Sequence, residues 1–383
     1  MTEAMRTFEG IRRVVVKVGT NVLTRNDQID EEYIHELAGQ IVALRENDRE
    51  VCVVTSGAIG LGARELGIGG RVQDVVLRQA CAAVGQPLLM QVYRDVFARF
   101  GVRTGQVLLT REVLNHRRSY VRLRNAVERL LELGVLPIFN ENDSVAVAEI
   151  GRNFGDNDQL SALIASKVDA ELLILLSDVP GYYSADPRVD PGAVLYDTID
   201  NVTPEMIADA GTAGSTVGTG GMATKLKAVK IAAEGGCRVV LAHGRDQRVL
   251  ERLLAGETVG TVFASRRRLR NRSRWILHSA PRGRITVDAG AMEAIRHHKS
   301  LLPSGIISVE GVFQAGDVVQ VNDAAKLVTA FDSRELAAIA GKHTSEAEEI
   351  LSRDKNRRII ARPENMVFFD EDWDDPTVDG DNT

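Results

Sequence analysis

The stretch that decides the fold is Val51-Cys52-Val53-Val54-Thr55-Ser56-Gly57-Ala58-Ile59-Gly60. Its apolar run is short and unbroken, the pattern of a parallel strand covered on both faces rather than one alternating between core and water. Two hydroxyl residues and a glycine then open a helix, whose first N–H groups and dipole face whatever lies beyond the strand. An anion is the natural guest there, although the same residues also serve as an ordinary helix cap.

Outward from this unit the pattern repeats from residue 11 to about 263. Strands are expected at Val14–Val18, Val51–Thr55, Thr104–Leu109, Leu136–Asn140, Leu172–Ser177 and Arg238–Ala242, with helices such as Ile34–Glu46, Arg118–Leu133 and Lys225–Glu234 between them. Alternation over this length predicts an α/β/α sandwich around a mostly parallel sheet. Ligands of such sheets bind beyond the carboxyl ends of the strands. Nearly every expected strand here runs into Gly, Ser, Asn or Asp at that end. Residues 265–280 break the pattern with Arg266, Arg267, Arg268, Arg270, Arg272 and Arg274. After Pro281, short strands at Arg284–Val287, Gly305–Gly311, Asp317–Val321 and Lys326–Phe331 predict a small β-rich module ending near Pro363. Residues 364–383, with Asp370, Glu371, Asp372, Asp374 and Asp375, read as an acidic disordered tail.

Bulk properties narrow the class. A length of 383 residues suits one large domain plus a small one. The formal net charge of -6 argues against a protein whose main work is holding a polyanion. Cys52, Cys81 and Cys237 are scattered and form no CxxC pair, which fits reduced thiols rather than a disulfide frame or zinc site. No apolar run approaches the about 18 residues of a membrane helix, and the N-terminus lacks a signal-like apolar segment, so a cytoplasmic location and no membrane partner are expected.

Several turns carry chemistry. Val16-Lys17-Val18-Gly19-Thr20-Asn21 puts a lysine near the end of a buried strand, a costly placement unless it meets an anion. The bland alternative is an edge lysine reaching to water. Asn140-Glu141-Asn142-Asp143 places four polar side chains after an apolar strand. Gly155-Asp156-Asn157-Asp158 precedes the apolar stripe Leu160, Leu163, Ile164 and Val168, and three successive Asp/Asn residues exceed what capping needs. Such a surplus suits gripping an ammonium group, orienting lysines or helping to position magnesium; the spacing is not that of an EF-hand. Gly218-Thr219-Gly220-Gly221-Met222-Ala223-Thr224-Lys225 joins glycines, hydroxyls and a lysine at a helix start, a phosphate cradle without the Walker A spacing. Two lysines, acidic groups and glycine turns suit phosphoryl transfer, which works by in-line positioning and charge neutralisation. A hydrolase triad fits worse, since no histidine lies in a motif with Ser56.

Together, Lys17-Val18-Gly19-Thr20, Val54–Ile59, Asn140–Asp143, Gly155–Asp158 and Thr219–Lys225 resemble the glutamate 5-kinases of the amino-acid kinase family, in order and over nearly the whole chain. The resemblance implies an amino-acid kinase domain at 1–264, an arginine-rich linker at 265–280, a PUA-like domain at 281–363 and the acidic tail. It further implies ATP and magnesium as cofactors, and transfer to the side-chain carboxylate of L-glutamate as the first step of proline synthesis, with feedback inhibition by proline. Lys17, Lys225 and Asp158 would be catalytic. Ser56, Gly57, Asn140, Asp143, Asp156 and Asn157 would bind glutamate. Lys17, Ser177, Asp178, Thr219, Gly220, Gly221, Met222, Ala223, Thr224 and Lys225 would bind nucleotide, and no side chain is assigned as a metal ligand. A homo-oligomer, dimer or tetramer, and a glutamyl phosphate reductase are the partners it implies. Two departures stand out: Gly151-Arg152-Asn153-Phe154 differs from the family pattern, and Ser177 replaces a frequent threonine.

Two rivals are weighed against this. One is a kinase of the same fold acting on another carboxylate or phosphate. The other is RNA binding through the PUA-like module and Arg266–Arg274, a cluster with Trp275 as its one aromatic neighbour in a chain of negative total charge; no nucleic-acid partner is expected.

Overall fold

The computed structural model describes residues 5–26, 28–70, 72–146, 157–212, 221–265, 269, 271–351 and 359–369. Of the residues singled out above, the segment 151–154, Gly155, Asp156, Gly218, Thr219, Gly220, Arg266, Arg267, Arg268, Arg270 and the acidic run from Asp370 lie outside them. The chain divides into two compact units, one of residues 1–114 with 118–268 and one of residues 115–117 with 269–383.

The first unit is built on eight strands: β1 Arg13–Val18, β2 Glu50–Val54, β3 Thr104–Leu109, β4 Leu136–Glu141, β5 Leu172–Ser177, β6 Thr198–Ile199, β7 Arg238–His243 and β8 Thr261–Phe263. Their order across the sheet is β3-β4-β2-β1-β5-β7-β8-β6. From β3 to β7 every pairing is parallel; only β8 turns antiparallel to β7, with β6 parallel to β8 at the edge. The sheet is thus mostly parallel, as its aliphatic runs predict.

Period-two alternation sorts each strand between two cores. Val14, Val16 and Val18 of β1, Val51 and Val53 of β2 and Leu172, Ile174 and Leu176 of β5 pack on one face, with helices α1 (Glu31–Glu46) and α2 (Val75–Ala98). Val15, Cys52, Val54, Leu173 and Leu175 pack on the other face, with α3 (Asn157–Lys167) and α4 (Met222–Glu234). Three layers result. Lys17 has the parity of Val15, so the lysine faces the layer that holds α3 and α4.

The short helix Ala58–Glu65 lies directly on α2. A Cβ added at Gly62 would come within 1.8 Å of the Cys81 carbonyl oxygen, and one at Gly85 within 1.9 Å of that of Ala58. Only glycine permits so close a backbone crossing. Among the described residues, no helix is long and apolar enough to cross a membrane.

The second unit has a separate five-stranded sheet: β9 Gly283–Val287, β10 Ile306–Gly311, β11 Val318–Val321, β12 Ala325–Val328 and β13 Met366–Phe368, in the order β10-β9-β11-β12-β13. Its core gathers Ile285, Val319, Val321, Leu327, Phe331, Leu336 and Phe368. Within the stretch read as an arginine-rich linker, Asn271–His278 forms a helix whose Trp275 and Ile276 are buried. Lys326 Nζ donates to the carbonyls of Leu277 and Ser279 at its end, at 2.6 and 2.9 Å. Likewise β13 lies in residues read as tail, because Met366, Val367 and Phe368 are apolar and all three are buried.

Candidate active site

The sequence-derived residues gather at the carboxyl edge of the first sheet. Lys17 sits at the end of β1, in register between Val54 of β2 and Leu175 of β5. Helices α3 and α4 start at the same edge, because helices in a parallel α/β layer run back against the strands. Asp158 is the second residue of α3 and Lys225 the fourth of α4.

These three side chains meet. Lys17 Nζ is 2.5 Å from Asp158 Oδ1, and Lys225 Nζ is 3.2 Å from Asp158 Oδ2. The exposures of Lys17, Asp158 and Lys225 are 4%, 0% and 6%, so this is an interior cluster and not a surface pair. Desolvating three charges is expensive, and one carboxylate divided between two ammonium groups is not an economical structural ion pair. A lysine in the first turn of a helix also opposes the helix dipole, while Asp158 at the start of α3 complements one. Local preference is therefore broken at Lys225, as it often is where a site is built.

Glycine opens three helices at this edge. Gly19 precedes Thr20–Leu23, Gly57 precedes Ala58–Glu65 and Gly221 precedes α4, each without a side-chain cap. Gly57 has φ of +97°, a left-handed conformation that glycine adopts without strain. A Cβ at Gly19 would stand 3.6 Å from Lys17 Nζ and 3.3 Å from the Leu176 carbonyl oxygen, so a larger residue there would crowd the lysine's head. Elsewhere Asp30, Asp74, Asp288 and Asp332 cap helices with their carboxylates, accepting from backbone N–H groups. Thr224 Oγ1 turns back to donate to the Gly221 carbonyl at 2.7 Å, and Met222 and Ala223 form the intervening first turn.

A second set of side chains forms a hydrogen-bonded chain beside the lysines. Asn157 Nδ2 lies 2.6 Å from Thr55 O, 3.0 Å from Ser56 Oγ and 2.9 Å from Asn140 Oδ1. Asn140 Nδ2 donates to Gln86 Oε1 at 2.7 Å, and Thr55 Oγ1 bonds Tyr93 Oη at 2.9 Å. Asp143 follows β4, and burial pushes its carboxyl up to about 6 despite the opposing charge of Arg78. At the end of β5, Asp178 accepts from Asn21 Nδ2 at 2.8 Å and from Ser177 Oγ at 3.0 Å. Burial raises the Asp178 pKa, but these bonds and the charge of Lys225 outweigh it and hold the carboxyl below its ordinary range.

Lys17, Lys225 and Asp158 therefore converge; Ser56, Asn140 and Asn157 are joined in one network; Ser177 and Asp178 are joined in another with Asn21. Asn21, Gln86 and Tyr93 were not anticipated. Their one sequence signal is in α2, where Gln86 and Tyr93 occupy the buried stripe shared with Ala82 and Leu89. Among the described residues, no three His, Cys, Asp or Glu side chains gather as a metal cage.

The family model described as the amino acid kinase family matches residues 12–243, and that of the PUA domain matches residues 283–351. The chain is 41% identical to the glutamate 5-kinase of Methanosarcina mazei, over 97% of this chain and 100% of that protein. It is 42% identical to the glutamate 5-kinase of Methanosarcina barkeri over 97% and 100%, and 44% identical to that of Syntrophotalea carbinolica over 93% and 97%. The chain belongs to the glutamate 5-kinases of the amino acid kinase family. Its first unit is accordingly a kinase domain, its second contains a PUA domain, and the family implies use of ATP.

Proposed function

We propose that this enzyme transfers the γ-phosphoryl of ATP to the side-chain carboxylate of L-glutamate, giving ADP and glutamyl 5-phosphate. One observation carries the reading: Lys17 and Lys225, far apart in sequence, share the two oxygens of the buried Asp158 at the strand ends. The two reacting partners, a carboxylate and a triphosphate, repel each other. Fixed ammonium groups at their meeting point lower that repulsion, most of all while the phosphoryl is in transit. Asp158 holds the lysines in place, a role that needs no change in its own charge.

On the acceptor side, a substrate ammonium pairs with Asp143, whose burial makes an unneutralised carboxylate costly. Asn157 Nδ2 has three protein acceptors within reach for two hydrogens. Asn157 thus offers glutamate its oxygen rather than a donor. Ser56 Oγ, accepting from Asn157, keeps its own O–H to donate to a substrate carboxylate, beside the backbone that follows Gly57. Asp156 belongs to the same acceptor set by the resemblance. On the nucleotide side stand Ser177, Asp178 and the start of α4 with Thr219 and Gly220 before it. Magnesium fits as an ion brought by the nucleotide, since it is commonly held by substrate phosphates plus one or two carboxylates; bound, it would neutralise phosphate charge.

The biological setting is part of the same reading: a cytoplasmic homo-oligomer at the first step of proline synthesis, inhibited by proline and passing its product to a glutamyl phosphate reductase. Three buried free thiols fit a reducing compartment.

Hydroxylamine trapping tests the reaction. Hydroxamate that depends on both ATP and glutamate is the expected product, with aspartate and N-acetylglutamate giving far less; faster turnover of either of those would overturn the assignment.

A further inference from the structure

We infer that Gln86 is a positioning residue for the acceptor side of the site, acting through the amide of Asn140; the inference rests on the function proposed above. The direction of each hydrogen bond leads to it. Asn140 Oδ1 is committed as an acceptor, taking the Glu141 N–H at 3.0 Å and Asn157 Nδ2 at 2.9 Å. Asn140 Nδ2 must therefore donate, and it does so to Gln86 Oε1 at 2.7 Å. A rotated Gln86 amide would set two NH2 groups against each other. Gln86 thus fixes which end of Asn140 meets Asn157, and through Asn157 the placement of Ser56 and Thr55.

The cost of this arrangement is visible. Gln86 is only 7% exposed, and its Nε2 has no hydrogen-bond partner among the described residues. A buried donor left in this state is a desolvation loss that an apolar residue would avoid. The neighbours break helix rules as well: Gly85 and Pro87, both poor interior residues, flank it inside α2. Gly85 brings the helix onto the Ala58 carbonyl, next to the Ser56-Gly57 turn.

Helix α2 repeats the device at a spacing of seven residues, two helical turns, which keeps one face toward the site. Gln79 Nε2 donates to the Ala146 carbonyl at 3.1 Å, Gln86 takes Asn140, and Tyr93 Oη meets Thr55 Oγ1 at 2.9 Å. The 140–146 turn and the 55–57 turn, which carry Asn140, Asp143, Ser56 and Gly57 of the proposed glutamate contacts, are both attached to this one polar seam, and Gln86 is its central and most consequential bond.

The test compares Gln86→Met, which keeps volume but loses the acceptor, with Gln86→Glu, which keeps an oxygen for Asn140 whether ionised or protonated. Steady-state hydroxamate kinetics on the parental enzyme come first. Absence of parental turnover with glutamate would overturn the functional reading and this inference with it. Given parental turnover, Gln86→Met should raise the glutamate KM about tenfold or more, a loss of about 1.4 kcal/mol in binding. Its kcat should stay within about threefold and its ATP KM should not change; Gln86→Glu should keep the glutamate KM within about threefold. An unchanged glutamate KM in Gln86→Met, or equal losses in kcat and both KM values, overturns the inference alone. If Gln86→Met does not fold, Gln86→Glu decides: a tenfold rise in its glutamate KM is the contrary result.

Discussion

Strand β1 carries a cation at each end, and the two ends treat their acids in opposite ways. Arg13, at the amino end, is held by two carboxylates: its Nε donates to Glu50 at 2.7 Å, and its Nη1 and Nη2 donate to Glu128 at 2.7 and 2.8 Å, with the Val168 carbonyl as a further acceptor. Burial works against its charge, but these bonds dominate and raise its pKa. At the carboxyl end, among the described residues, two ammonium groups, those of Lys17 and Lys225, meet one carboxylate, that of Asp158. The planar arginine fork saturates its partners and makes a clamp. An ammonium is a compact charge with three rotatable donors on a flexible stem, so it can re-aim toward an arriving phosphate where a guanidinium fork cannot. The difference separates an ion pair that keeps a sheet together from one that prepares a reaction.

The largest effect expected from this contrast is at the carboxyl end. Lys225→Ala should lower kcat about 100- to 1,000-fold while the glutamate KM moves less than about threefold, because the lost charge serves mainly the transition state. Arg13→Met should do the reverse, costing about 2 kcal/mol of unfolding free energy in a denaturant titration, with kcat within about twofold. Near-normal kcat in Lys225→Ala, or a collapsed kcat in a folded Arg13→Met, would break the comparison.

A smaller, pH-dependent effect sharpens it on the acceptor side. Asp143, pushed up to about 6, carries its charge above that pH and loses it below. The substrate ammonium and side-chain carboxylate both remain charged down to about pH 5. Thus kcat/KM for glutamate should fall toward tenfold per pH unit below about 6. Asp143→Asn should raise KM at every pH and remove that limb of the profile; a parental profile that stays flat from pH 7 to 5 would exclude Asp143 as the ammonium partner.

What could be read from sequence follows from what burial costs. Strand β5 falls at the expected bounds because an unbroken aliphatic run, Leu172 to Leu176, has few other uses, and β3 does so although only Val107, Leu108 and Leu109 of it are aliphatic. Lys17, Asp158 and Lys225 were legible as chemistry because charged groups at the ends of apolar segments demand partners. Gln86 and Asn21 were not, since a neutral amide signals nothing until the group that it orients is known. Short β8 and β13 gave too few residues for a periodicity. The helix at Asn271–His278 was hidden by arginines, although Arg274 is itself buried and Trp275 and Ile276 supply the apolar anchor. The segment 151–154, Asp156, Thr219 and Gly220 lie outside the described residues, so their part in the site rests on the resemblance alone.

The central claim is that the cluster around Asp158 brings a phosphoryl group to a carboxylate oxygen, and isotope transfer tests it most directly. Glutamate labelled with heavy oxygen in its side-chain carboxylate would be turned over with ATP and hydroxylamine. Hydroxylamine attacks the acyl carbon and expels phosphate with the bridging oxygen, so each phosphate released should carry one labelled atom, matching the hydroxamate formed. Unlabelled phosphate from glutamate-dependent ATP consumption would mean that water, and not the carboxylate, receives the phosphoryl group, and would contradict the account.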